Sequence, residues 1–271
     1  MVRKYYGVIM KKLVTTCALG ALLATTASAD FARVEVGGGI WQQTPNGYAS
    51  RTDGDGALSL NGTYTSSEKE ATDTYAWILI KHPVPIIPNL RLEYVTITDE
   101  GTTNSSGGGS IGGIPLPVGL DVPTTIDITQ YDVIPYYNIL DNTFWITLDL
   151  GLDIKVIESD VHAAAVSAGI LTFAGYSSTD TTVIPLLYAR GRVEIPATNI
   201  GLEADVKAIT DGTNSMYDVR AKVDYTFDFI PIIQPALEVG YRMQKLKVDD
   251  GTKAQVDLDY SGVYAGLMLR F

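Results

Sequence analysis

The chain has a single cysteine and only two histidines, and after Ala29 it has no run of 18 apolar residues. These scarcities exclude a good deal. One thiol cannot build a disulfide framework, and that thiol, Cys17, lies in the first 29 residues. A lipobox reading of Cys17 is weakened by Thr16 before it, where a small Gly, Ala or Ser is expected. Without a long apolar run no membrane-spanning helix is expected. Positive charge is scarce as well: 20 basic residues stand against 31 acidic ones, and four of the basic ones (Arg3, Lys4, Lys11, Lys12) fall before Ala29. The remainder carries a net charge near −15. That balance excludes a nucleic-acid partner, which needs a basic footprint, and a broad basic patch for anionic lipid.

What is present begins with an export signal. From Met10 the chain runs through Lys11 and Lys12, an apolar stretch from Leu13 to Thr26, and then Ala27-Ser28-Ala29. A basic start, an apolar core and an A-x-A site predict a signal peptide over 1–29, with 1–9 an upstream extension and cleavage before Asp30.

The rest, 30–271, is dominated by a period of two. Phe144, Ile146, Leu148, Leu150, Leu152, Ile154 and Val156 form one face of a strand. Trp145, Thr147, Asp149, Gly151, Asp153 and Lys155 form the other. Likewise Tyr217, Val219, Ala221, Val223, Tyr225 and Phe227 alternate with Asp218, Arg220, Lys222, Asp224, Thr226 and Asp228. Such stretches outrun the usual soluble strand and suit a tilted membrane strand of about 9 to 11 residues with overhang. Ten segments are predicted, at about 31–41, 74–82, 90–98, 124–137, 143–157, 183–195, 200–210, 216–228, 235–248 and 255–271. Short connections (83–89, 138–142, 196–199, 229–234) alternate with three long ones (42–73, 99–123, 158–182). This asymmetry predicts a single ten-stranded antiparallel transmembrane up-and-down β-barrel in the outer membrane of a Gram-negative bacterium, with both termini periplasmic. Pro135 and Pro185 fall inside predicted strands and suggest a shifted boundary or a bulge. Phe31, Tyr136, Tyr137, Phe144, Trp145, Phe227, Phe229 and Phe271 sit near predicted periplasmic strand ends, as an aromatic girdle would.

The chain ends on alternation. Val263, Ala265, Leu267 and Leu269 point one way; Tyr264, Gly266, Met268 and Arg270 point the other. Tyr264, Gly266, Leu269 and Phe271 resemble the terminal signal that outer-membrane barrels present to their assembly machinery. The motifs Val36-Gly37-Gly38-Gly39-Ile40-Trp41, Tyr136-Tyr137-Asn138-Ile139-Leu140-Asp141-Asn142, Leu148-Asp149-Leu150-Gly151-Leu152 and Tyr188-Ala189-Arg190 are similar to those of the proteobacterial outer-membrane β-barrel family named for its amino-terminal Gly-Gly motif. That resemblance implies a barrel and brings no assigned activity.

The faces opposite the apolar ones carry both signs of charge: Arg33 and Glu35, Asp149, Asp153, Lys155, Arg190, Arg192, Glu194, Glu203, Asp205, Lys207, Asp218, Arg220, Lys222, Asp224, Glu238 and Arg242. An Arg or Lys on the lipid face costs about 2–4 kcal/mol at mid-bilayer, so these residues are expected to face the lumen. A ten-stranded barrel has a radius of roughly 10 Å, and opposing side chains then nearly meet. The expectation is an interior filled by ion pairs, giving a structural or surface-interaction barrel with long outer loops. A narrow passive pore is the alternative. A rim protease is a distant one, resting on His162 with Asp160, because His82 lies at the wrong end. No cofactor, resident metal site or catalytic residue is expected. Thr52-Asp53-Gly54-Asp55-Gly56 could meet divalent cations, although a solvated turn explains it as well. The apolar run 163–174 in the third long connection is unusual for an exposed loop.

Overall fold

The structure, a computed structural model, describes residues 32–51, 62–84, 86–104, 110–111, 114–115, 119–143, 145–168, 171–173, 175–228, 233–249, 251 and 254–271. The expected signal peptide, the acidic stretch 52–56, Phe31, Phe144 and Phe229 lie outside these residues.

Ten long strands form one antiparallel sheet: β1 (Arg33–Arg51), β2 (Ala71–Lys81), β3 (Asn89–Asn104), β4 (Asp121–Thr143), β5 (Ile146–Ala163), β6 (Tyr176–Glu194), β7 (Ile200–Thr210), β8 (Ser215–Thr226), β9 (Gln234–Asp249) and β10 (Ala254–Arg270). Each pairs with its neighbour in sequence, and β10 pairs with β1 from Glu35↔Arg270 to Arg51↔Ala254, so the sheet closes on itself. Phe271 completes the seam by donating its N–H to the Val34 carbonyl at 2.9 Å. Gly62–Ser66 pairs with both β1 and β3 and carries the wall on beyond the start of β2.

Several strands are longer than the alternation suggests. β1 continues to Arg51, β3 to Asn104 and β5 to Ala163, while β4 starts at Asp121 and β6 at Tyr176. Much of the three long connections is therefore barrel wall. The expected turn 138–142 is strand too, with register shifts between Asn138 and Leu140 and between Leu140 and Thr143. Pro135 and Pro185 lie within strands in register, and no shift occurs beside either of them.

The physical reason for the underestimate is an inversion of polarity. Towards the end that carries Arg33 and Phe271, here the terminal end, outward residues are apolar and exposed: Leu150, Leu152 and Ile154 on β5, Val183 and Leu187 on β6, Val239 and Tyr241 on β9, Val263 and Leu267 on β10. From Val193 to Val183 this belt spans about 25 Å along the barrel axis, the height of an outer-membrane hydrocarbon band. Beyond it the same outward positions turn polar. On β3 they run Thr96, Thr98 and Glu100; on β5 Glu158, Asp160 and His162; on β10 Asp259 and Asp257. The inward positions invert with them. Charged side chains within the belt give way to Val95, Ile97, Ile126, Ile128, Ile157, Val161, Met216 and Leu258, all buried in one cluster. Polar-outside, apolar-inside alternation is the pattern of a soluble sheet. The barrel is a membrane barrel at one end and continues into a soluble-type barrel at the other.

The aromatic girdle is partly as expected. Of the expected residues, Tyr137, Trp145 and Phe271 are exposed near the terminal end, but Tyr136 points inward, 1 % exposed, and packs edge-on against Tyr188. Strand alternation forces this, since Tyr136 and Tyr137 must occupy opposite faces. Tyr94 and Tyr131 meet at 5.5 Å on the outer face where the belt ends, marking its other boundary.

Candidate functional site: the barrel interior

Within the belt the inward side chains form one connected ionic network. At the terminal end Arg270 donates to Glu35 at 2.9 Å and to Asp224 at 3.0 Å, tying the last strand to the first and to β8. Arg192 reaches the same Asp224 at 2.6 Å and touches Glu203 at 3.3 Å. Arg190 bridges Asp149 at 2.6 Å and Glu203 at 2.7 Å. Lys222 holds Glu238 at 2.7 Å. Further along, Arg220 pairs with Asp205 at 2.7 Å, Lys207 lies between Glu93 and Asp132, and Lys155 meets Asp132 at 2.7 Å. Arg242 clasps Asp218 at 2.6 Å. Gln130 and Gln244 exchange hydrogen bonds across the barrel at 2.8 and 3.1 Å, closing the network beneath the apolar cluster.

Aromatic rings are built into this network. Trp77 donates its indole N–H to Glu238 at 3.1 Å, with the Arg91 guanidinium 5.0 Å and the Lys222 ammonium 4.6 Å from its ring centre. Gly37 on the adjoining strand makes that position possible, because a Cβ there would collide with the indole. Tyr75 donates to Glu238 at 2.8 Å and stacks edge-on with Tyr264 at 5.2 Å.

Of the charges read from the sequence, fifteen are buried: Glu35, Asp149, Asp153, Lys155, Arg190, Arg192, Glu203, Asp205, Lys207, Asp218, Arg220, Lys222, Asp224, Glu238 and Arg242. Glu194 lies apart at the terminal mouth, its side chain 44 % exposed beside Arg33 and Arg192. The structure adds Arg91, Glu93, Asp132 and Arg270 to the network. The first two were readable, because Arg91 and Glu93 alternate with Leu90, Leu92 and Tyr94. Asp132 is flanked by Tyr131 and Val133 in the same manner. Ten acids and nine bases of the belt interior are buried among the described residues, so the signs nearly balance. Asp153 has neither carboxylate oxygen in a direct hydrogen bond and lies within the fields of Lys207 and Lys155.

The lining is dry. Asp149, Asp153 and Lys155 are 0 % exposed, whereas a water-filled channel would leave its lining accessible. The gap between Trp41, Tyr75, Arg220, Arg242 and Tyr264 has no room for a water molecule. Among the described residues no group of three or more His, Cys, Asp or Glu side chains could hold a metal ion.

Tyr264 and Gly266 face inward, while Leu269 and Phe271 lie on the outer face. His162 and Asp160 are two residues apart on β5 and share its outer face, and the Thr179 hydroxyl donates to Asp160. His82 lies at the terminal end, its ring 3.1 Å from the Pro88 carbonyl.

Among solved structures, the chain is similar to the outer-membrane protease OmpT from Escherichia coli, with 11% identity over 92% of this chain and 100% of that one and a TM-score of 0.50. The protein has the fold of an integral outer-membrane β-barrel. At this identity the likeness extends to the fold alone. A Pseudomonas aeruginosa FadL homologue (11% identity, 89% of each chain, TM-score 0.29) and the transport unit of the autotransporter AIDA-I from Escherichia coli (8% identity, 92% and 96%, TM-score 0.35) are also matched. No protein-family model matches the chain, and no curated protein does.

Proposed function

We propose that this protein is a sealed, non-enzymatic barrel of the Gram-negative outer membrane that acts through the surface it presents and not through its lumen. The observation that carries this reading is the two-part interior: a near-neutral ionic network filling the belt, closed on one side by a plug of apolar side chains. A conducting pore needs a continuous wet path. An ion entering here would have to displace salt-bridged side chains and then squeeze past Ile97, Ile128, Ile157 and Leu258, which offer it no polar group of their own.

The barrel sits with both termini in the periplasm, because short turns mark that end and the long connections gather at the other. The C-terminal strand carries the contact with the assembly machinery through Tyr264, Gly266, Leu269 and Phe271. Resemblance to the Gly-Gly barrel family fits this reading. A rim protease is disfavoured by the placing of His162, whose cross-strand partners on that outer face are Thr125 and Ser177 and whose side chain is exposed.

The decisive experiment is single-channel conductance of refolded residues 30–271 in a planar bilayer, with heat-modifiable gel mobility confirming folding. A folded, silent barrel is expected. Discrete, reproducible current steps would replace this reading with the narrow pore.

A further inference from the structure

Just beyond the belt, on the side away from the termini, four successive positions around the wall turn oxygen-bearing side chains inward: Tyr260 on β10, Gln43 on β1, Asp73 on β2 and Asp99 on β3. The pairings Gln43↔Gly262 and Gln43↔Ala71 set Tyr260 and Asp73 two residues off Gln43 on either side, within reach of one another's side chains. All four are buried, Gln43 and Asp99 completely. Their outward neighbours Thr72, Thr74, Thr98 and Glu100 are polar, so the cluster lies outside the membrane-spanning segments.

The hydrogen bonding is incomplete in a specific way. Gln43 donates its amide N–H groups to Asp73 Oδ2 at 3.0 Å and to the Thr98 carbonyl at 3.1 Å, which fixes the amide orientation and leaves Oε1 as a buried acceptor without a partner. Asp99 Oδ1 accepts from Ser66 at 2.8 Å, while its Oδ2 has no partner. The Tyr260 hydroxyl has none either, and it lies close enough to feel both carboxylates. Among the described residues no Lys or Arg makes an ion pair with Asp73 or Asp99, and the nearby charge at Asp127 has the same sign. Two buried carboxylates without a counter-charge are not left bare in a protein interior; they take up protons or pair with a cation.

We propose that Asp73, Asp99 and the Gln43 amide oxygen form a binding site for a calcium-class divalent cation, with Tyr260 beside it. Two carboxylates balance a double positive charge, and carboxylate, amide and hydroxyl oxygens are the donor set of hard cations. Gln43 Oε1 can only accept, so it suits a cation as a third oxygen ligand. The site would staple β1, β2 and β3 where the wall leaves the membrane. None of its residues belongs to the acidic stretch 52–56.

The test compares urea unfolding midpoints of the refolded mature barrel in a chelator and in about 1 mM calcium, the range in which extracellular sites bind. Calcium is expected to raise the wild-type midpoint and to leave the Asp73→Asn/Asp99→Asn variant unmoved. Should that variant not fold, Gln43→Leu decides, because it keeps both charges and should need at least tenfold more calcium for the same rise. Terbium in place of calcium should give emission sensitised through Tyr260 that falls in Tyr260→Phe. An unchanged wild-type midpoint would overturn the site and leave a shared proton as the neutralising species. A rise that persists in the double variant would place the calcium elsewhere.

Discussion

Arg192 on β6 grips Asp224 on β8 across an intervening strand, with Nη1–Oδ1 at 2.6 Å and Nη2–Oδ2 at 3.0 Å. The residue between them on β7 is Gly201, in register with Glu194 on one side and Asp224 on the other. A Cβ at Gly201 would run into the Arg192 guanidinium and come close to Asp224 Oδ1. The absence of a side chain on one strand thus permits a two-point ionic clasp between its neighbours.

Gly201→Ala should therefore behave as an overpacking change and destabilise the barrel by about 1–3 kcal/mol, although it adds only a methyl group. Urea unfolding followed by tryptophan fluorescence measures it. A neutral result would mean that the clasp is dispensable.

Replacing Arg190 and Arg192 together with Ala strands Asp149, Glu203 and Asp224 without their main partners. Breaking a buried pair from one side costs about 3–5 kcal/mol, so the unfolding midpoint should fall steeply. Unchanged stability would count against a packed interior.

The boundary of the belt can be tested on a single strand. Leu187, 69 % exposed on the outer face of β6, lies inside it, while Thr181 on the same face lies beyond it. Leu187→Arg should cost about 2–4 kcal/mol in lipid. Thr181→Arg should stay within about 0.5 kcal/mol. Equal costs, measured by refolding into vesicles, would displace the membrane plane from its assigned height.

Stability should also depend on pH through Asp73 and Asp99. Burial holds both carboxyls above the ordinary aspartate range in the folded state, so between the unfolded and folded values the native protein holds more protons than the unfolded chain. In calcium-free buffer the contribution of this pair is greatest in acid and declines as pH rises through the folded values. Subtracting the curve of Asp73→Asn/Asp99→Asn isolates it from carboxyls shifted the other way, such as Asp211, which is held low by the hydrogen bonds of its own turn. A difference curve that rises with pH would contradict the assignment.

The sequence discloses the wall of this barrel better than its contents. Alternation along 146–156 and 217–226 identifies lipid and lumen faces correctly, because hydrocarbon tolerates charge so poorly that each face is written in residue type. Trp145, read on the charged face, is instead exposed. The same rule misleads where it stops applying. Ile97, Ile126 and Val161 alternate as clearly as Leu150, yet they face inward, and only knowledge of where the lipid ends reveals the change of sense. Tyr136 escaped for a related reason, since an aromatic pair at a strand end reads as two girdle residues when alternation allows one. The partners of individual charges were not legible at all. Arg220 reaches Glu93 from 127 residues away, and only the closed sheet brings them within 3.3 Å.

The seam between β1 and β10 has a consequence for how the barrel enters a membrane. Arg270 reaches Glu35 only once the first and last strands have met, although each has a second partner, Asp224 and Arg33. Before that, the ion pair across the seam is missing and the backbone groups of both sheet edges are unpaired, which hydrocarbon rejects. Entry into lipid and joining of the ends are therefore coupled. A half-inserted sheet with open edges is driven back to water or forward to closure.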